Sequence, residues 1–286
     1  MNGDIGLFGP HSVTWKLHRE PILLIGGLRS LYLQALHPRA MAGLAQNSSF
    51  RSDGWGRLSR TAEYVGTVIY GSTEQVEAAA RRVRRRHARM SATDPRTGER
   101  FRIDEPDLLR WVHVAEVESF LTTARRAGVR LTDDEVDGYY TEQLRAAELV
   151  GLDPATVPAT AAEVAAYYED MRPELGLTRD SAEAALFLTV LPVPESWGSR
   201  PLRLGLALGP TRWAYLGIAG TAFALLPAWA RKMYGGLGWS TTDVSANVSV
   251  RSLRLLLRAV IAAAPQRYKV APMRRAALER AGHSEV

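Results

Sequence analysis

The sequence predicts an all-α fold, a single multi-helix domain of the globin-like or bundle-like kind. Apolar residues recur at three-and-four spacing along almost the whole chain, and sustained alternation of period two is nearly absent. Several helix starts are also signalled twice over: a Ser or Thr caps the first turn, and an acid or amide three residues later can reach back to it. These are Ser72 with Gln75, Thr132 with Glu135, and Thr160 with Glu163.

In chain order, Ile22–Leu44 is a strongly apolar helix or pair of helices. It is interrupted at His37-Pro38, because a residue before proline disfavours helical geometry and proline has no N–H to donate. The three capped helices run to about Met90, Val150 and Met171. Asp104 followed by Pro106 opens another that reaches about Ala127, where Gly128 stops it. Helices are also predicted at Arg179–Val190 and Val248–Ala264. Asp94–Ile103, with its Asp-Pro-Arg-Thr-Gly turn, reads as a short hairpin or loop. The proline-rich Leu191–Pro201 is the internal linker, and no repeat is visible. A division near residue 240 leaves a main helical domain over 1–240 and a basic helical extension over 241–286 packing on it.

A chain of 286 residues buries roughly three quarters of its unfolded surface and has a sizeable core. With 46% hydrophobic and 23% charged residues, neither disorder nor a fibrous repeat fits. Cysteine is absent, which removes disulfides, thiolate zinc or iron–sulfur sites, a cysteine nucleophile and a thiolate-ligated haem. Any metal must then be held by His, Asp, Glu, Tyr or Met, and the lack of cysteine fits a cytoplasmic protein.

The net charge is +6, its excess gathered between Arg81 and Arg89 and again from Arg251 to Arg280. Such a pattern attracts nucleic acid, membrane or an acidic cofactor. A solvated helix face is the simpler reading of the C-terminal stretch, and no aromatic residues interleave with the arginines as a single-strand platform requires, so no nucleic-acid partner is expected. Met1–Pro10 carries Asp4 and no basic segment ahead of an apolar run, and does not read as a signal peptide. Trp213–Ala230 is uncharged, has tryptophan near both ends and is followed by Arg231 and Lys232. Gly217, Gly220, Thr221 and Pro227 within it favour a buried or membrane-touching helix pair over a true span.

The six histidines are His11, His18, His37, His87, His113 and His283. His87 follows the arginine run near a helix C-terminus, where a surface histidine compensating the dipole is the simplest reading. His113 shares a stripe with Leu109, Glu116 and Val117, which puts an imidazole near the buried face as a core residue or a ligand. His37 reads as a helix C-cap or packing residue. Arg57, Arg60 and Thr61 fall at i, i+3 and i+4 and project from one helical face, either as a seat for a carboxylate or for dioxygen or as a solvated first turn. No His-Glu-x-x-His, paired-carboxylate ligand set or Gly-rich phosphate loop occurs.

Taken together these residues form an ordered set: Leu33 to Pro38, the Arg-x-x-Arg-Thr at 57–61, Tyr70-Gly71, the arginine run ending in His87, and Leu109-x-Trp-Val-His113. In this the chain resembles the MpaB-type oxygenases, whose domain is shared with the latex clearing protein, a rubber oxygenase, over roughly Gly6 to Gly236. The resemblance implies an all-helical domain around a b-type haem and oxidative cleavage by dioxygen of a carbon–carbon double bond in a prenyl-like chain. In the rubber oxygenases an Arg-x-x-Lys-Thr motif lies on the distal side of the iron and a histidine further along is the proximal ligand. Carried over, Arg57 and Thr61 match, and His87 becomes the iron ligand, with Arg84 and His37 as further cofactor contacts. Arg60 stands where the lysine would be. A deprotonated amine can ligate iron, whereas a guanidinium stays protonated and has no lone pair to offer. Arg57, Arg60, Thr61 and His113 are the expected catalytic groups, with His113 either distal or itself the proximal ligand.

The expectation is therefore a haem b-dependent oxygenase, cytoplasmic and in peripheral contact with membrane, that brings dioxygen to a small apolar, unsaturated or prenyl-like substrate. Leu33, Phe120 and Phe187 would line the substrate space. The rubber enzymes are secreted, and the lack of a signal peptide points away from an extracellular polymer. Two rivals remain: a non-enzymatic haem or gas-binding protein, and a cofactor-free helical protein anchored at a membrane surface.

Overall fold

The computed structural model describes residues 3–48, 51–191, 193, 199–236 and 240–282. The chain is almost wholly helical. It opens with α1 (Val13–His18), α2 (Leu23–Gln34), α3 (Pro38–Asn47), α4 (Gly54–Tyr70) and α5 (Thr73–His87). A two-stranded antiparallel hairpin of β1 (Ser91–Thr93) and β2 (Arg100–Arg102) follows, with Gly98 at φ +77° in its turn. Then come α6 (Pro106–Arg126), α7 (Asp133–Val150), α8 (Ala161–Met171) and α9 (Arg179–Thr189). The C-terminal part holds α10 (Arg200–Leu208), α11 (Pro210–Ala224), α12 (Ala228–Met233), α13 (Ser240–Ala263), α14 (Gln266–Lys269) and α15 (Pro272–Arg280).

The predicted capping boxes form at Ser72 with Gln75 and at Thr132 with Glu135. At α8 the Thr160 side chain accepts from Glu163 N, but the Glu163 carboxylate takes the Ala159 N–H instead of closing the box. For α6 the expected cap Asp104 is displaced by Glu105, which makes no side-chain cap bond; Pro106 sets the first turn, and Gly128, at φ +87°, ends the helix. Thr132→Ala removes a cap that joins Glu135 N and the Thr132 hydroxyl and should lower stability by about 1 kcal/mol, read from the midpoint of urea unfolding.

His37 corrects a detail of polarity. It is the N-cap of α3, not the C-cap of the helix before it: its Nδ1 accepts from Ala40 N at 3.4 Å, and Pro38 occupies the first helical position, where a missing N–H costs nothing. The uncharged run Trp213–Ala230 is likewise a pair, α11 and α12, broken at Pro227. Among the described residues no helix is long and apolar enough to cross a membrane. The predicted linker Leu191–Pro201 lies mostly outside the described residues, as does His283.

The centre of the molecule is the pairing of α2 with α6. Gly26 permits it, since a Cβ there would lie 3.1 Å from the Phe120 ring and 3.2 Å from the Ser119 carbonyl. Ile22, Ile25, Leu33 and Leu36 interlock with Trp111, Ala115, Phe120 and Ala124 in the main core. Leu33 and Phe120 are thus packing residues of this core, while Phe187 lies against Gly54 at the start of α4. α11 covers α2, and α7 and α13 cover α6, with Ala246 and Val250 of α13 buried in the same core.

Candidate active site

α4 begins where the Asp53 carboxylate accepts from Gly56 N, and its seventeen residues carry Arg57, Thr61 and Tyr64 along one face at i, i+4 and i+7. Arg57 is half-buried. Burial, then the charges of Arg86 and Arg60, pull its guanidinium down to about 10; one of its nitrogens donates to the Ser48 hydroxyl at 3.1 Å. Thr61 Oγ1 donates to the Arg57 carbonyl at 3.0 Å. The Tyr64 hydroxyl is buried with no hydrogen-bond partner, and burial followed by the charge of Glu116 pushes it up to about 12. Arg60 turns the other way, exposed and paired with Asp53 at 3.0 Å.

α5 ends in Arg84, Arg85, Arg86 and His87. His87 is half-buried, and burial first, then Arg86, hold its imidazole below the usual histidine value, with Asp104 pulling weakly the other way and Arg57 adding to the depression. The structure therefore brings His87 and Arg57 into one neighbourhood. Arg84 is exposed and donates to the Leu149 carbonyl, tying α5 to the end of α7, while its charge acts on the Tyr64 hydroxyl against the upward push of burial. His37 does not join them. It caps α3 beside Trp111, ring centroids 6.0 Å apart, and its electrostatic neighbours are Arg39, Arg96 and Asp94.

On α6, His113 and Glu116 stand one turn apart. Both side chains keep some accessible surface, yet desolvation alone lowers His113 to about 4 and raises Glu116 to about 7. The Glu116 charge acts on Tyr64 of α4 and on Tyr139 of α7. A small crevice lined by His113, Val117, Tyr140, Pro158 and Val164 lies between α6, α7 and α8.

His18 belongs to the same region. Its ring meets Phe120 edge-on at 4.9 Å, lies 3.5 Å from the Tyr139 hydroxyl, and is lowered to about 4 by burial. No spacing along the chain marks His18 or Tyr139, which sit on helices distant in the sequence. Tyr64 had a signal: it extends the Arg57–Thr61 stripe by one turn.

Among the described residues no three His, Asp or Glu side chains come together as a metal cluster. The donor set suits a cofactor that brings most of its metal's ligands itself and needs one neutral imidazole. His87 and His113 both supply such an imidazole, because a ring held below its usual pKa keeps its lone pair at neutral pH. The buried Tyr64 hydroxyl, without a hydrogen-bond partner, is the kind of group a bound molecule satisfies. Either imidazole could serve a haem as its single protein ligand.

Fold and site together define an all-α domain whose chemistry is housed between helices. The chain belongs to the family described as ER-bound oxygenase mpaB/B′/Rubber oxygenase, catalytic domain, which matches residues 15–262. The family is one of oxygenases, for which dioxygen and an oxidisable substrate are the partners. No curated protein and no solved structure matches the chain.

Proposed function

We propose that the protein is a haem b-dependent oxygenase acting on a small apolar substrate that is unsaturated and prenyl-like, with His87 as the proximal ligand of the iron. The observation that carries this reading is that an oxygenase-family chain sets His87 within reach of the Arg57 charge and holds two desolvated groups, His113 and Glu116, one turn apart on α6. The chain has no cysteine for thioether attachment, so the haem is of the non-covalent b type. When bound, it would supply the iron at which dioxygen is activated toward a carbon–carbon double bond.

The protein's own groups divide the remaining work. Arg57, charged and half-buried, donates hydrogen bonds toward negative charge developing beside it, where burial strengthens them. Thr61, bonded to the Arg57 carbonyl, fixes that turn of α4. His113 is a neutral imidazole able to donate from one nitrogen and accept at the other. Glu116 can hold or release a proton at its carboxyl near neutral pH, a property suited to general acid–base chemistry. Arg60, on the outer side of α4, is available to a haem propionate at the rim.

The test is the visible spectrum of protein purified from haem-supplemented cells, as isolated and after dithionite and carbon monoxide, for wild type, His87→Ala and His113→Ala. A Soret band lost only in His87→Ala is the expected result. Loss only in His113→Ala would move the ligand to α6. A colourless wild type would overturn the haem reading, and carbon monoxide binding without turnover of any alkene would leave a gas-binding protein in its place.

A further inference from the structure

α10 carries four leucines, Leu202, Leu204, Leu206 and Leu208, and buries none of its residues. A soluble helix normally hides its apolar side chains against a neighbour, and α10 packs mainly on α11, leaving an apolar face outward. Leu202, Leu204 and Leu208 are exposed, as are Leu186 and Val190 at the end of α9 and Trp213 at the start of α11, which is 71% exposed. These three helix ends are tied together. The Tyr215 hydroxyl donates to the Leu188 carbonyl at 2.6 Å, and Arg212 donates to the Leu191 carbonyl at 2.9 Å. Exposed large apolar groups gathered in this way mark an interaction surface more often than a solvated one.

The charge around the patch identifies what covers it. No Asp or Glu stands between Glu195 and Asp243, whereas Arg200, Arg203 and Arg212 lie within α10 and the first turn of α11. Leucines with a tryptophan at the edge, arginines beside them and no carboxylates is the composition of a surface that lies in the headgroup layer of an anionic bilayer. A second copy of the chain fits poorly. A two-fold contact would set the same arginines against themselves, with no acid in α10 or α11 to pair them.

We infer that the face formed by α10 and the adjoining ends of α9 and α11 docks on anionic lipid, its leucines and Trp213 entering the headgroup layer and the exposed Arg200 meeting lipid phosphate. The patch adjoins the candidate site. Gly54 at the start of α4 abuts the Phe187 ring, and Trp55 lies 6.2 Å from the Tyr215 ring, so docking brings the bilayer to the end of α4 that carries Arg57. Delivery of an apolar substrate by this route rests on the proposed oxygenase function; docking itself does not, and its test reads binding alone.

The full chain should sediment with vesicles of phosphatidylcholine mixed with phosphatidylserine, stay in the supernatant with phosphatidylcholine alone, and be released by salt. Arg200→Gln should weaken partitioning about five-fold, and Trp213→Ser should abolish most of it. Both residues are exposed, so far-UV circular dichroism should not change. Indifference to phosphatidylserine, a wild type that never sediments, or a solution dimer that Trp213→Ser dissolves would overturn the inference. So would variants that bind like wild type, which would assign the contact to another basic face.

Discussion

Lowering the pH from 6.5 to 4.5 should cost the folded protein on the order of 4 kcal/mol of stability, a large share of what a domain has. His18, His37 and His113 are each held at about 4 in the fold by burial, against an ordinary 6.5. Across this window they take up protons on unfolding but refuse them when folded. Folded values that are depressed for a base mean stability present above pH 6.5 and lost as pH falls toward 4. Glu116 works the other way: raised from 4.5 to about 7, it is already protonated in the fold and loses its proton on unfolding, which offsets about one histidine. Near the middle of the window the unfolded chain therefore binds nearly two more protons, a slope of about 2 kcal/mol per pH unit. Below pH 4.5 the loss continues, because Glu20 beside Arg254 and Asp243 beside Arg231 are carboxylates held low by their arginines and must then be protonated. Urea unfolding at a series of pH values measures the slope, and His18→Gln should roughly halve it in mid-window. A flat profile between pH 4.5 and 6.5 would show that these imidazoles are hydrated.

The same residues mark where the sequence can and cannot be read. The starts of α5 and α7 are legible because a capping box is a local contract between residues three apart, indifferent to tertiary context. The interruption at His37-Pro38 was legible for the same reason, although its sense was not: Pro38 suits the first turn of a new helix as well as the end of an old one, and only the path of the chain decides. Arg57, Thr61, His87 and His113 could be singled out because each lies in a short motif on one helix. Arg60 shows the limit of that approach. A motif places it beside Arg57, and three residues along a helix keep the two within about 60° of each other, yet Asp53 draws its guanidinium out to solvent. His18, Tyr139 and Glu116 meet only because α1, α6 and α7 converge, and no spacing along the chain announces a contact between residues so far apart. The same holds for the ion pairs that fix the central helices.

Arg29→Ala is the substitution expected to damage the fold most, by about 3–5 kcal/mol, because it would strand an enclosed carboxylate. Arg29 is among the largest fully buried side chains. It donates to both oxygens of Glu118, at 2.6 and 3.1 Å, to the Ser119 hydroxyl at 2.6 Å and to the Leu225 carbonyl at 3.0 Å. It thereby joins α2 to α6 and to the end of α11. Glu118 in turn accepts from Thr122 Oγ1 at 2.6 Å and from the Tyr168 hydroxyl at 3.3 Å, so its charge is built into a network that reaches α8. Losing the guanidinium leaves those two neutral donors to hold an ionised group at 13% exposure, and a fall in Tm on the order of 10 °C should follow. The pair also differs from its parts. Arg29→Met with Glu118→Leu removes both charges and their desolvation together, and should recover most of the loss. A double-mutant cycle measures the coupling directly. If Arg29→Ala alone costs less than about 1 kcal/mol, the network is a surface-like pair, and the α2–α6 contact rests on its apolar side chains. The face of α6 that presents His113 and Glu116 should follow the same ranking. The single variant should loosen it, and the paired variant should leave it in place.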